Sequence, residues 1–350
     1  MTLLEVEGLR TEFPTSRGVV TAVDDVDLSI ESGEIVGLVG ESGSGKSVFA
    51  ESVMGIVESP GRITDGDIRL HGESLLDEGR REAVRGSELS MIFQDPMNSL
   101  NPTLPVGEQI AETIRLHQDV GESISLSAEL KRKLFGAAKN SEAWRRAVEM
   151  LEAVEIPDPA GRATDYPHEF SGGMRQRAMI AMALSCEPDL LIADEPTTAL
   201  DVTVQAQILD ELAGLKEAFD TSILLITHDL AVVAETCDRV NVMYAGEIIE
   251  RGPVEELFAN PQHPYTQGLL ASTPRLDADA DVRPIEGSVP DLIDIPYACH
   301  FAPRCPESDR ECFEVAPDFR SVGAGDHEAA CLKRGENPEL STGPAEVSDD

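Results

Sequence analysis

The sequence predicts an α/β fold, a parallel-sheet core that carries an antiparallel β subdomain and a helical subdomain, and three observations lead to it. Glu34 to Gly40, EIVGLVG, is a short apolar strand that runs through glycines directly into a helical pattern, the way a βαβ unit opens. DLLIADEP and TSILLITHD are two further apolar strands ending in polar residues, with the helical segment VTVQAQILDELAGLKEAF between them, so these strands run parallel. From Asp95 to about Ser185 the periodicity is mostly helical, which supplies a second lobe.

Taken in order, LEVEGLRTEF and VVTAVDDVDLSI alternate in character around the turn-prone PTSRG and read as an antiparallel ribbon. SVFAESVMGIV follows the glycine loop as the first helix, GDIRLHGESL reads as an edge strand, and ELSMIFQ as a buried one. Loops interrupt the helical lobe at NPTLP, GESIS and IPDPAGRATDYP. RVNVMYAGEIIERG is a hairpin that turns at Ala245-Gly246. After Pro261 the composition shifts to Pro, Asp and Cys, and from about Gly335 the tail is low in complexity and reads as disordered. The expected domains are residues 1–94 with 186–255 for the sheet core, 95–185 for the helical lobe, 256–334 for a C-terminal extension and 335–350 for an acidic tail.

A chain of 350 residues buries a sizeable core without staples, which excludes a small disulfide scaffold. It carries 65 acidic residues against 28 basic ones, a formal charge of −37, while the hydrophobic fraction stays at 41%. That apolar content belongs to a folded protein, so the acidity is a surface property. Such a surface repels phosphate backbones and argues against nucleic-acid partners, and it suits a salt-rich cytoplasm in which screening removes most of the self-repulsion. No apolar run approaches the ~18 residues that span a bilayer, and MTLLEVEGLR is acidic where a signal peptide is basic and then apolar, so a cytosolic protein is expected.

Chemistry concentrates at three places. Gly40, Glu41, Ser42, Gly43, Ser44, Gly45, Lys46 and Ser47 fit G-x-x-x-x-G-K-[ST] directly after a strand and before a helix that continues with Val48. In that context the glycines let backbone N–H groups face phosphate oxygens, Lys46 reaches the β- and γ-phosphates, and the Ser47 hydroxyl ligates Mg²⁺. The strand LLIAD delivers Asp194 beside that ion and Glu195 next to it, placed to polarise an attacking water. Ser171, Gly172, Gly173 and Met174 open an apolar helix, where amides and the helix dipole make an anion site or, read alone, an ordinary N-cap.

This ordered set resembles the ATP-binding subunits of ABC transporters, P-loop NTPases, and closely those of the dipeptide/oligopeptide and nickel importer family, over nearly all of residues 1–335. The resemblance makes residues 40–47 Walker A, Gln94 in MIFQDPMNSLNP the Q-loop glutamine and Mg²⁺ neighbour, Ser171 to Met174 the signature, and residues 190–194 Walker B. It also makes Glu195 the catalytic carboxylate, Asp201 the D-loop aspartate, His228 the switch histidine and Phe13 the ring on adenine. It implies ATP and Mg²⁺ as ligands and a head-to-tail ATPase dimer, with a second ATPase subunit or another copy of this chain. Two membrane permeases and an external substrate-binding protein complete the assembly, at the cytoplasmic face of the membrane. A soluble ABC ATPase and an ATP-regulated iron–sulfur or metal-handling protein are the alternatives.

Six cysteines are present, and Cys299, Cys305, Cys312 and Cys331 crowd one Pro-rich segment of low apolar content, where a metal centre can organise the local fold. Zinc sites usually show C-x2-4-C pairs, which this spacing lacks. The resemblance implies a [4Fe–4S] cluster in an extension that begins near Asn260, with zinc, free thiols and disulfides as alternatives. His263-Pro264-Tyr265 in the same region reads as packing.

Overall fold

The computed structural model describes residues 1–94, 99–120, 141–197, 220–272, 284–293, 297–323 and 326–335, together with Gln205, Gln207, Ile208, Leu212, Gly214, Lys216, Ala218, Phe219 and Ile295. The expected D-loop Asp201, the GESIS loop, much of the segment VTVQAQILDELAGLKEAF and the acidic tail beyond Gly335 lie outside these residues.

β1 (Thr2–Thr15) and β2 (Gly18–Glu31) form the expected antiparallel ribbon. β3 (Ile35–Val39) is buried throughout and ends at the glycine loop, after which the helix Lys46–Met54 begins. That helix stops where Gly55 adopts a left-handed conformation and its N–H returns to the Glu51 and Ser52 carbonyls. β4 (Arg62–Leu70) pairs with β1 and with the two-residue β5 (Glu73–Ser74), giving a four-stranded sheet of order β2-β1-β4-β5. β6 (Leu89–Ile92), β7 (Leu190–Asp194) and β8 (Ser222–Thr227) join β3 and β9 (Arg239–Tyr244) in a parallel array of order β9-β3-β8-β7-β6. β10 (Glu247–Pro253) turns back antiparallel to β9 at Ala245-Gly246, as the hairpin pattern predicts.

The helix Lys46–Met54 lies between the two sheets. Phe49, Ala50, Val53 and Met54 share one apolar cluster with Leu4, Leu9 and Ile68 on one side and Val36, Leu38, Ile192 and Ile226 on the other. Burying a side chain the size of Phe49 or Val53 stabilises by roughly 1.5–3 kcal/mol, so this helix is held as rigidly as the sheets that enclose it. A second cluster unites the opposite face of the parallel sheet with the helices Val106–His117, Glu142–Ala153 and Gly172–Leu184, through Ile110, Ile114, Trp144, Leu151 and Ile180. That is the helical lobe.

The C-terminal region is built into the sheet. β11 (Phe319–Ser321) and β12 (Glu328–Ala330) extend the array beyond β10, so the larger sheet has eight strands. Tyr265 and Phe301 are buried in a third apolar cluster with Val39, Val242 and Tyr244. The junction is sealed by Glu250, fully buried, which accepts hydrogen bonds from the Gln262 and His263 amides at 2.7 and 2.9 Å and pairs with His327 Nε2 at 2.8 Å.

Among the described residues no helix is long and apolar enough to cross a membrane.

Candidate functional site

The C-terminal ends of β3, β6, β7 and β8 place four loops side by side, and the sequence-predicted residues lie on them. Gly43 and Gly45 adopt φ of 81° and 107°, conformations that only glycine takes freely, and a Cβ on Gly40 would collide with the Met243 carbonyl. The loop therefore closes tightly over the start of its helix. Lys46, only 5% exposed, donates from Nζ to the Gly40 and Glu41 carbonyls at 2.8 and 2.9 Å. Burial pushes its pKa down, while the Glu195, Asp194 and Glu41 carboxylates oppose that shift, so a cation is held at the loop among three anions.

Asp194 ends β7 at 4% exposure, with the Ser47 side chain beside its carboxylate. Burial raises its carboxyl above the usual range, the Ser47 contact opposes that shift, and the neighbouring Glu195 charge raises it further. Its Oδ1 is buried without a hydrogen-bond partner. An orphaned carboxylate oxygen beside a hydroxyl, two hard oxygen donors, fits Mg²⁺.

Glu195 follows at φ 46°, a left-handed conformation rare for a side chain this size, and its N–H is anchored on the Ile226 carbonyl at 2.9 Å. The turn aims the carboxylate between two loops. Gln94 Nε2 donates to Glu195 Oε2 at 2.9 Å, and His228 Nδ1 lies 3.3 Å from Glu195 Oε1. Gln94, expected beside Mg²⁺, thus meets Glu195, the neighbour of Asp194. The His228 side chain is 65% exposed, whereas Asp229 beyond it caps the helix Leu230–Thr236 by accepting from the Ala231 and Val232 amides. Lys46, Ser47, Asp194, Glu195, Gln94 and His228 therefore gather at one place.

Two expected groups lie elsewhere. Ser171 is the N-cap of the helix Gly172–Leu184, its Oγ accepting from the Met174 amide at 3.3 Å. Among the described residues, Ser171, Gly172, Gly173 and Met174 make no hydrogen bond to the Lys46–Glu195 group, and Ser171 and Gly172 are exposed. Phe13 is half-buried on β1 with its ring against Gly61.

Sequence reasoning missed the residues that brace the phosphate loop from the C-terminal side. The Tyr265 hydroxyl accepts from the Glu41 amide at 2.8 Å, and Arg304 Nη1 and Nη2 meet the Glu41 carboxylate at 2.7 and 3.2 Å. The HPY motif was the available signal. Its His263 caps the helix Pro264–Ala271 through the Tyr265 amide, with burial pulling its pKa down to about 4, and so acts as neutral packing.

All six cysteines carry free thiols. Burial raises the pKa of Cys299 to about 11 and also raises Cys305 and Cys331, with backbone amides opposing and the neighbouring thiols of the set adding to the rise. A compensating cation would favour the thiolates. Among the described residues no three of these sulfur atoms come within 4.8 Å of one another.

A glycine-cradled lysine, a strand-end aspartate on a serine hydroxyl and an adjoining glutamate define the chain as a P-loop nucleoside triphosphatase. The sequence comparisons narrow the class. Residues 23–198 match the family model described as ABC transporter, and residues 249–312 match the one described as oligopeptide/dipeptide transporter, C-terminal region. The oligopeptide transport ATP-binding protein AppD of Bacillus subtilis is 48% identical over 328 residues, covering 93% of this chain and 94% of its own length. OppD of Salmonella typhimurium, also an oligopeptide transport ATP-binding protein, is 49% identical over 334 residues, covering 95% and 93%. Among solved structures, cbiO1 of Clostridium perfringens, part of the ABC transporter complex cbiONQ, aligns with a TM-score of 0.58 and 25% identity over 74% of this chain and 91% of its own. The chain belongs to the ABC transporter family and is an ATPase of that family.

Proposed function

We propose that this chain is the ATP-hydrolysing subunit of an importer for dipeptides or oligopeptides, working at the cytoplasmic face of the membrane beneath two permease subunits fed by an external binding protein. The observation that carries the reading is the convergence of Lys46, Asp194, Glu195, Gln94 and His228 on one glycine loop, in a chain that also has the peptide-transporter C-terminal region. The curated relatives AppD and OppD, named for oligopeptide transport, support the substrate class.

In this reading the backbone amides of residues 43–48 and Lys46 bind the β- and γ-phosphates, and the Phe13 ring faces adenine. Ser47 and Asp194 hold Mg²⁺, which neutralises charge on the phosphates when bound. Glu195 orients the attacking water and takes its proton at a carboxylate oxygen, while His228 and Gln94 hold that carboxylate from either side. Ser171, Gly172, Gly173 and Met174 make no hydrogen bond to this group among the described residues of one chain. They act on the γ-phosphate of a second ATPase subunit, with Asp201 at the shared interface. ATP then stabilises the closed dimer, and hydrolysis releases it.

Cys299, Cys305, Cys312 and Cys331 hold a metal centre, an iron–sulfur cluster before zinc, and its role is to organise a segment poor in apolar residues. The charge of −37 fits a high-salt cytoplasm.

The test is affinity purification of tagged Glu195→Gln protein from native membranes with ATP and Mg²⁺. Recovery of two polytopic permeases and a second ATPase, or of permeases with this chain alone, supports the importer. Recovery of soluble partners only would remove transport from the reading. Anaerobic purification with iron, sulfide and zinc analysis tests the centre, with iron and sulfide near ~4 per chain expected.

A further inference from the structure

The phosphate loop is gripped from the C-terminal region at three points. Tyr265 takes the amide that opens the loop, Arg304 forks onto the Glu41 carboxylate, and His300 Nδ1 meets the Ala245 carbonyl at 3.1 Å. The last contact braces the turn whose Gly246 amide donates to the Ser44 carbonyl at 2.9 Å. Arg304 is itself immobilised. It donates through Nε to the Glu286 carbonyl at 3.0 Å and through Nη2 to the Ile285 carbonyl at 3.4 Å, its Nη1 meets the Tyr244 hydroxyl at 3.4 Å, and its guanidinium lies 5.7 and 5.9 Å from the Tyr244 and Phe301 ring centres. Its side chain is 5% exposed. A surface ion pair would not be enclosed in this way.

Two physical consequences follow for a loop that receives a polyanion. Glu41 places a negative side chain within the loop sequence itself, where it opposes phosphate binding unless it is neutralised. The bidentate guanidinium cancels that charge and also fixes the direction of the Glu41 backbone, while Tyr265 pins the amide of the same residue. We propose that Arg304 and Tyr265 are positioning residues for ATP, through which the C-terminal region sets the shape and charge of the phosphate loop. The inference rests on the nucleotide reading of that loop.

The experiment is calorimetric titration of the full-length chain with the magnesium complex of β,γ-imido-ATP. Arg304→Met is expected to weaken binding about tenfold, because the Glu41 charge is then uncompensated in a partly buried site. Adding Glu41→Gln to that variant is expected to restore affinity to within about twofold of the Glu41→Gln single variant, a rescue that loss of folding or packing would not give. Arg304→Lys keeps the charge and loses the fork, so its affinity falls by about threefold. Tyr265→Phe is expected to weaken binding severalfold with no rescue by Glu41→Gln, since it frees an amide and not a charge. Unchanged affinity in Arg304→Met, or a double variant that binds no better than Arg304→Met alone, would overturn the inference. A wild-type chain that fails to bind the nucleotide would overturn the nucleotide reading, and this inference with it.

Discussion

Replacing Glu195 by Gln separates chemistry from structure at the proposed catalytic carboxylate. The amide oxygen still accepts from Gln94 Nε2, as Glu195 Oε2 does at 2.9 Å, and the amide nitrogen can donate toward His228 Nδ1, which lies 3.3 Å from Oε1. Size is conserved and the Ile226 anchor is on the backbone, so stability should change by less than ~0.5 kcal/mol. What is lost is the base. General-base assistance contributes ~10²- to 10⁴-fold, so turnover should fall by that factor, about 2.7–5.4 kcal/mol in the barrier. Nucleotide affinity should rise slightly, because Glu195 repels the phosphates and holds the Asp194 pKa up. The assays are phosphate release at saturating ATP and gel filtration with and without ATP, where the variant should persist as an ATP-dependent dimer. Turnover within threefold of wild type, with binding intact, would refute the assignment of Glu195 as base.

Three other perturbations test the fold and its charges. Glu250→Ala leaves the Gln262 and His263 amides and His327 Nε2 without their buried acceptor, so unfolding free energy in urea should drop by about 3–5 kcal/mol. Burial holds the Glu247 carboxyl up at about 8, with Asp24 and Asp25 adding to the rise, Arg10 opposing it, and His300 Nδ1 3.4 Å away. Because the folded pKa lies above the unfolded one, folding takes up a proton between the ordinary carboxyl value of 4.5 and about 8, and stability falls as pH rises through that window. Glu247→Gln should flatten this slope in thermal melts, raising stability at pH 8 by about 2–3 kcal/mol after its partial exposure is allowed for. With a charge of −37, the melting temperature should climb as potassium chloride is raised from about 0.1 to 1 M, where the screening length falls from ~10 to ~3 Å.

The parts of this molecule that the sequence made legible are those whose signal is local. β3, β7 and β8 are apolar runs buried along their whole length and ended by polar residues, and the glycine loop sits directly on one of them. Lys46, Asp194 and Glu195 could be placed because Asp194 ends its strand, Glu195 follows it, and Lys46 follows β3 by a loop of fixed length. β11 and β12 carry no such pattern. Each has three residues, and what makes them strands is the pairing of β12 with β10 and of β11 with β12, together with the Arg251–Glu328 ion pair at 2.9 Å and the buried Glu250–His327 contact. None of that is encoded within a window of ten residues.

The same distinction explains why the brace on the phosphate loop was invisible. Glu41 and Arg304 are 263 positions apart, and Glu41 and Tyr265 are 224 apart, so no periodicity or spacing relates them. Arg304 in isolation reads as a surface charge and Tyr265 as core, and each is half right. Tyr265 packs its ring at 4.6 Å from that of Tyr244 while its hydroxyl emerges at the loop, and Arg304 gains its fixed direction only because Phe301 and Tyr244 are already buried beside it. A loop motif is thus specified locally, but its rigidity is not. Arg304 immediately precedes Cys305, so the segment that aims the guanidinium is also a segment that carries the clustered cysteines. An ATPase core of this kind can carry its nucleotide chemistry in one contiguous pattern and still depend on a distant, Cys-bearing segment for the geometry of that pattern.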